Sequence, residues 1–270
     1  MNCKPALAIL LGLLLLSNCA QMQSVQTTLS EPELTVPVLF DMPFAGSTVS
    51  SQQLTLLTQG TGQLFPAQIS VTNQKLDGKH GILASALLPL SLLREESFTL
   101  RQTAQPLVKT SALQWDDDGQ TTLTLHEGSR EIFSYHYGNI TPPKGVPAHR
   151  TRSSYFHPIR GLDGESLTQD YPADHHHHRG LYHAWPGIFL DNQRFDMWHI
   201  VGIWTRYERT LAQEEGPVFA NLILQNGWYT SDRKVMDEVM NVTVWHSDHQ
   251  GQAIDLQYTW TPLEKIHLGP

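Results

Sequence analysis

Short stretches in which apolar and polar residues alternate recur along most of the chain. Eight of them place β-branched or aromatic residues at alternate positions, as expected for strands with one buried face. They are ELTVPVLF, QQLTLLTQ, LFPAQISV, ESFTLRQT, TTLTLHEG, EIFSYHYG, NVTVWHSD and AIDLQYTW. Turn-forming sequences such as DGKHG, DDDGQ and SDHQG separate many of these stretches. The sequence therefore predicts an all-β fold, either a β-sandwich or a stack of sheets.

Two segments complicate this pattern. HGILASALLPLSLLREE has the leucine and alanine content of a helix, although Pro89 interrupts it. Only ten residues follow the predicted strand AIDLQYTW, so we expect its sheet neighbours earlier in the sequence or a chain that stops short of a complete domain. A break near residues 105–110 predicts an N-terminal β-subdomain over 31–108 and a main β-sandwich domain over 109–270.

The first residues have the pattern of an export signal. Met1–Lys4 contains one lysine, and an apolar run of 11 residues extends from Ala6 to Leu16. As a helix this run would measure ~16 Å, about half of the ~30 Å hydrocarbon core of a bilayer. We therefore predict that residues 1–18 are a signal peptide and not a membrane span.

The sequence Leu16-Ser17-Asn18-Cys19 resembles the lipobox of bacterial lipoproteins, in which a peptidase cuts before a lipid-modified cysteine. Asn18 departs from the small residue that is usual there. We predict that Cys19 carries the lipid, and that residues 19–30, rich in Gln, Ser and Thr, form a flexible tether. The resemblance implies an outer-membrane location facing the periplasm, because Ala20 and not aspartate follows the cysteine. The alternative is an ordinary signal peptide with an incidental Cys19.

Composition narrows the function classes. The chain has 270 residues, of which 40% are hydrophobic and 16% charged, enough for a sizeable core. The net charge of −8 and the lack of a basic run lead us to expect no nucleic-acid partner. The cysteines are Cys3, in the predicted signal, and Cys19. A mature domain without thiols or disulfides suits an oxidising compartment.

The segment DYPADHHHHRGLYHAW contains four consecutive histidines, His175–His178. In an extended segment alternate side chains share a face, so His175 and His177 would point one way and the other two the opposite way. Such a pair can present two neutral imidazoles to one divalent transition metal ion. Within the run, the predicted metal ligands are His175, His177 and His178. A pair from the run would take its third ligand from His157, His183 or Asp174. Asp174 could instead orient one of the imidazoles.

A second interpretation needs no metal. An imidazole near its usual pKa of ~6.5 is a ready general acid or base, and a carboxylate such as Glu238 or Asp170 could share proton transfer at a sugar ring. Arg179 disfavours a nearby cation but suits a carboxylate or an oxyanion. Aromatic rings would supply faces for sugar stacking, and the candidates are Tyr171, Tyr182, Trp185 and Trp198. The predicted catalytic residues are His175, His177, His178, Arg179 and Glu238, and the predicted substrate-binding residues are His157, Tyr171, Asp174, His183, Trp185 and Trp198.

A third interpretation is structural. The histidines could belong to a polar loop held by Pro172 and Gly180, with the imidazoles bonded to backbone carbonyls. The position of the run in the middle of a domain argues against a purification tag. The residue pattern alone leaves all three interpretations open.

The longer stretch RSSYFHPIRGLDGESLTQDYPADHHHHRGLYHAW resembles the family catalogued as PmoA-like or DUF6807. His176 stands where the family often has proline, and the family's later Gly-Gly and arginine are not evident here. The resemblance implies a β-sandwich, with the galactose-mutarotase supersandwich as one form of it, but supplies no activity. The matching residues are Arg152, Tyr155, His157-Pro158, Asp170-Tyr171-Pro172 and Asp174–Leu181, with looser matches at Phe195, Trp198, Glu238, Asp255 and Pro66–Gln68.

These observations combine into one functional hypothesis and one alternative. The first is a lipid-anchored envelope protein whose cleft, centred on Asp174–Arg179, acts on or binds a carbohydrate or a related polar small molecule, with or without a divalent transition metal. The alternative is a non-catalytic lipoprotein, either a glycan-binding module or an assembly factor, whose histidines only stabilise a loop. The sequence does not choose between an enzyme and a binding protein.

Overall fold

The computed structural model describes residues 35–43, 54–58, 60–76, 79–93, 98–102, 111–248 and 250–269. The predicted signal peptide, the tether and Cys19 lie outside the described residues. The described part of the chain contains sixteen β-strands, all paired antiparallel, and two short 3₁₀ helices at Leu90–Leu93 and Ala148–Arg150. The predicted all-β class is therefore confirmed. Within these described ranges no helix is long and apolar enough to cross a membrane.

The first five strands form one sheet in the order β1-β4-β3-β2-β5. The helix that the composition of residues 80–96 suggested is wrong, because the described part of this segment, residues 80–93, forms most of β4 and then a single 3₁₀ turn. Ala86 and Leu88 of β4 pack on Ala67 of β3, so tertiary packing overrides the local helix preference. The strands are β1 (Thr35–Pro43), β2 (Leu54–Thr58), β3 (Leu64–Leu76), β4 (Lys79–Pro89) and β5 (Phe98–Gln102).

Two four-stranded sheets face each other and make the β-sandwich. Inward residues at alternate positions, such as Leu125 and Phe133 of one sheet and Leu222 and Val242 of the other, belong to one buried apolar cluster. The first sheet contains β6 (Leu113–Asp117), β7 (Thr122–Glu127), β8 (Arg130–His136) and β9 (Tyr155–Ile159) in sequence order. The second contains β12 (Trp204–Glu214), β13 (Phe219–Thr230), β14 (Arg233–Trp245) and β15 (Ile254–Pro262), also in sequence order.

A fourth, three-stranded sheet, which we call the small sheet, completes the described architecture. It has the order β11-β10-β16, from β10 (Gly187–Leu190), β11 (Gln193–Phe195) and β16 (His267–Gly269). Ile188 of β10 packs with Trp228 of β13 and Val235 of β14 in a second buried apolar cluster. The predicted strand at AIDLQYTW is β15, which pairs with β14, so its sheet neighbour does lie earlier in the sequence.

Gln68 of β3 joins the five-stranded sheet to the connection between β12 and β13. Its fully buried amide oxygen accepts hydrogen bonds from the backbone N–H groups of Val218 (3.1 Å) and Phe219 (3.0 Å). Its amide nitrogen donates to Glu214 Oε1 at 3.2 Å. A Cβ atom at Gly216 would lie 2.2 Å from Gln68 Oε1, so glycine is needed for this close approach. Residues 32–270 form one compact unit, and this amide is one of the contacts that hold it together.

We predict that Gln68→Ala lowers the free energy of unfolding by about 2–5 kcal/mol, because two buried backbone N–H groups lose their acceptor. Urea-induced unfolding of the purified protein measures this loss. Gln63→Ala is the matched control, since Gln63 is exposed and should change stability by no more than about 0.5 kcal/mol. Equal stabilities of the two variants would contradict the assigned role of Gln68.

Candidate functional site

The histidine segment folds as two successive turns and not as a strand. The backbone N–H of His175 donates to the carbonyl of Pro172 at 3.0 Å, and that of His178 donates to the carbonyl of His175 at 2.9 Å. Turns bring residues three apart together, so the rings of His175 and His178 stack with centroids 4.9 Å apart. The expected two-residue alternation is therefore wrong, because this backbone bonds within its own turns and not to a neighbouring strand. His177 packs against both rings, at 5.6 and 4.5 Å.

A fourth imidazole joins these three. The ring of His199 lies 4.4 Å from that of His177, and its Nδ1 lies 2.8 Å from Asp196 Oδ2. We call His175, His177, His178 and His199 the histidine cluster. Partial burial, followed by the neighbouring imidazoles and the Arg150 guanidinium, lowers the pKa of His177 to about 4. His177 is therefore neutral at neutral pH.

The cluster does not have the arrangement of a metal centre. Among the residues that the structure describes, no group of three or more His, Cys, Asp or Glu side chains is placed to hold a metal ion. The side-chain geometry thus gives no support to the predicted ligands His175, His177 and His178. The Asp174 carboxylate lies 3.0 Å from His175 Nδ1, and both side chains are exposed. This contact lowers the pKa of Asp174.

Beside the cluster lies an open groove of about 490 Å³. We call it the aromatic groove. Trp198 in its wall is 40% exposed, which is unusual for so large an apolar side chain. The Trp198 ring meets the His178 ring edge-on at 5.6 Å and lies 6.2 Å from the Tyr182 ring. The groove is lined by Leu167, Thr168, Gln169, Pro172, His178, Gly180, Leu181, Tyr182 and Trp198.

Two local features fix the groove wall to β9. Phe156 and Leu181 exchange both backbone hydrogen bonds, at 2.9 and 3.0 Å. Gly180 has a φ of +62°, and a Cβ there would lie 2.1 Å from the carbonyl oxygen of Phe156. Only glycine suits this position. On the same strand, His157 Nδ1 lies 2.9 Å from the hydroxyl of the groove residue Thr168, so the predicted binding residue His157 sits directly behind the wall.

Arg179 lies beneath the histidine turns and is 0% exposed. Its guanidinium forms an ion pair with Asp170, contacts the Tyr155 hydroxyl, and donates to the Arg150 carbonyl at 3.0 Å. The Tyr171 ring covers one side of the guanidinium at 3.6 Å, and the Tyr155 ring lies at 4.3 Å. We call these contacts the Arg179 network. The carboxylate expected for Arg179 is therefore supplied by the protein itself, and Tyr171, predicted to bind substrate, packs on this arginine.

Glu238 and His183 lie together, and neither of them lines the aromatic groove. Glu238 of β14 is 1% exposed and accepts hydrogen bonds from Asn226 Nδ2 (3.0 Å), Trp228 Nε1 (2.9 Å) and Trp260 Nε1 (3.0 Å). Asn226 and Trp260 are its cross-strand partners, which explains why the three side chains meet. His183 Nδ1 lies 3.8 Å from Glu238 Oε2. Burial lowers the pKa of His183, although the nearby Glu238 opposes this shift.

The structure thus separates the predicted site residues from one another. His178 and Trp198 line the groove, whereas Glu238 is buried and the partly buried His183 lies beside it. Trp185, predicted to bind substrate, instead packs at the small sheet and donates its indole N–H to the Gly269 carbonyl at 2.7 Å.

Three residues in or near the groove and beside His183 were not predicted as catalytic residues, metal ligands or substrate-binding residues. His199 pairs with Asp196 three positions earlier, a spacing that the sequence displays but that does not distinguish a site from a turn. Tyr182 was expected only as a general apolar face, and Arg152 only as one of the matching positions of the family resemblance.

We predict that Asp170→Asn destabilises the protein by about 3–5 kcal/mol, because it leaves the buried Arg179 guanidinium without a charge partner. Thermal and urea unfolding measure the effect. Asp163→Asn, at an exposed position, is the control and should leave stability nearly unchanged. A loss below about 1 kcal/mol in Asp170→Asn would show that Arg179 has no structural role in the loop.

Comparison with known proteins gives one match. The model of a family of unknown function, DUF6807, matches residues 122–270, which is more than half of the chain. No curated protein and no solved structure matches the chain, so the proposed likeness to the galactose-mutarotase supersandwich stays a prediction. The matched range includes the histidine cluster, the aromatic groove and the Arg179 network. The protein therefore belongs to the DUF6807 family.

Proposed function

We propose that this protein is a lipid-anchored protein of the bacterial cell envelope that binds a carbohydrate in the aromatic groove. The observation that carries the proposal is the exposed Trp198 ring in the wall of an open groove of about 490 Å³. This volume lies within the range of ~300–1,000 Å³ that small-molecule sites occupy. Exposed aromatic and aliphatic side chains gathered in one concave surface indicate a binding site more strongly than scattered ones do.

The groove has the mixed chemistry that a sugar requires. Its apolar members, Trp198, Leu167 and Leu181, are exposed and offer surfaces for the C–H face of a pyranose ring. His178, Thr168 and other polar members supply hydrogen-bond donors and acceptors for hydroxyl groups. Such a pairing of an apolar face with a polar rim favours a neutral carbohydrate over a purely apolar ligand.

The geometry supports binding more directly than it supports proton transfer. Glu238, the predicted distant base, receives three protein N–H donors and does not line the groove. The Arg179 guanidinium is bound to protein groups. Of the residues predicted to be catalytic, His178 lines the groove and is the candidate proton carrier for any reaction on the bound sugar.

We expect Trp198→Ala to weaken carbohydrate binding by about tenfold or more, since loss of an aromatic stacking surface removes roughly 1.5 kcal/mol. Isothermal titration calorimetry with a panel of pyranose disaccharides and oligosaccharides measures the affinity, and a linear polyol of similar size serves as the negative ligand. Phe189→Ala is the matched control, because Phe189 is similarly exposed but does not line the groove. The proposal fails when no glycan of the panel binds, or when both variants bind equally well.

The lipid anchor is tested separately from the groove. The apolar run before Leu16-Ser17-Asn18-Cys19 supports modification of Cys19. In a bacterial host with an outer membrane, we expect the full-length protein to incorporate labelled palmitate and Cys19→Ser to lose the label. Cys3→Ser should retain it, because Cys3 precedes the predicted cleavage point. Equal labelling of both variants, or no label in the native protein, would refute the anchor.

A further inference from the structure

Arg152 is a second buried arginine, and unlike Arg179 it lacks a charge partner. It is 1% exposed, and within the described ranges it forms no ion pair. Its Nε and Nη1 atoms have no hydrogen-bond partner. Its Nη2 atom makes a long contact of 3.4 Å to the carbonyl of His183, and the guanidinium also interacts with the Tyr182 side chain. Arg179, by contrast, has an ion pair with Asp170 and a hydrogen bond to a backbone carbonyl.

This unpaired charge is energetically costly. Removing a guanidinium from water without a partner costs several kcal/mol, of which the Tyr182 ring, 3.8 Å from the Arg152 guanidinium carbon, recovers only part. Burial lowers the pKa of Arg152 to about 10, so the group still carries its charge at neutral pH. The nearby Arg179 adds a second positive charge that Asp170 balances. Arg152 therefore has no direct counter-ion among the described residues.

Other buried polar atoms without partners lie in the same region. They are the hydroxyls of Tyr135 and Ser154, the Asn226 side-chain oxygen and His183 Nδ1. Burial raises the pKa of Tyr135, while hydrogen-bonding interactions of its hydroxyl with the Ser154 and Asn226 side chains act against this rise. Arg152 lies close enough to His183 for its charge to lower the pKa of that imidazole. Asn226 and His183 are linked through Glu238, which lies 3.0 Å from the first and 3.8 Å from the second.

We call Arg152, Tyr135, Ser154, His183 and Asn226 the interior polar cluster. Folded proteins leave few buried polar groups unpaired, so a concentration of them in one region needs an explanation. Most members of the cluster can donate a hydrogen bond, and the charge of Arg152 repels cations. The Glu238 carboxylate forms no ion pair with Arg152, and its oxygens instead accept hydrogen bonds from one amide and two indole N–H groups.

We propose that the interior polar cluster binds a small oxyanion, a carboxylate or a tetrahedral sulfate or phosphate, with Arg152 as its charge partner. Guanidinium N–H groups and hydroxyls form strong, charge-assisted hydrogen bonds with such groups. The site is distinct from the aromatic groove, although Tyr182 touches both, and it does not depend on carbohydrate binding there.

The test is the thermal unfolding of the full-length protein, purified in detergent, in acetate, sulfate or phosphate at constant ionic strength, with chloride as the reference. We expect one oxyanion class to raise Tm saturably above chloride. The acetate and phosphate series separate a carboxylate site from a tetrahedral-anion site. In Arg152→Met we expect an apparent Kd at least about tenfold higher, so the rise in Tm should disappear at the oxyanion concentrations that saturate the native protein.

Arg152→Met is expected to fold, because replacing a buried unpaired charge by an apolar group of similar size is commonly neutral or stabilising. Arg194→Gln, at an exposed arginine, is the control and should respond to oxyanions as the native protein does.

Tryptophan fluorescence provides a second measurement that does not depend on Arg152→Met. Trp228 and Trp260 pack on His183, so oxyanion binding should change the emission of the native protein, and Ser154→Ala should weaken the titration. The proposal is overturned when no oxyanion exceeds chloride, or when Arg152→Met responds like the native protein. The first result would mean that ordered water satisfies the cluster, and the second that the anion binds elsewhere.

Discussion

The ion pair between the buried Arg179 and the partly buried Asp170 is the interaction on which the site depends. It joins Asp170 to Arg179, which lie on either side of the four consecutive histidines. The Arg179 guanidinium also donates a hydrogen bond to the backbone carbonyl of Arg150. The Arg150 side chain in turn donates to the carbonyl of His199, beside Trp198 in the groove wall. A buried ion pair contributes little net stability, because desolvation offsets its attraction. Its consequence here is conformational: it selects one arrangement of a loop that has few strand contacts of its own.

The sequence predicted the fold best where the pattern was local. TTLTLHEG and AIDLQYTW alternate strictly, and both are strands with alternate residues turned inward. The segment over residues 80–96 was misjudged because composition without a periodicity does not distinguish a buried strand from a helix. The strand β13 was not predicted, since Asn226 and Gly227 interrupt its apolar pattern.

The candidate site was predicted only in part, for a similar reason. The histidine run pointed to the region of the aromatic groove, because His178 and Trp198 both line it. Which imidazoles share a face depended on turns that the alternation argument did not include. The position of Glu238 depended on the register of three strands, and no local pattern encodes a cross-strand partner such as Trp260. Long-range pairing therefore decided which predicted residues meet.

The strand register also explains why the interior polar cluster is unusual. Inward positions of β13 and β14 are apolar at both ends: Leu224 and Met240 belong to the core of the sandwich, and Trp228 and Met236 to the core at the small sheet. Between these two cores the same faces carry Asn226 and Glu238, which are equally buried. Apolar residues at these positions would join the two cores without any desolvation cost. A sequence selected for stability alone would favour that solution, so the polar residues at this junction, together with the unpaired Arg152, are best explained by a ligand that they bind.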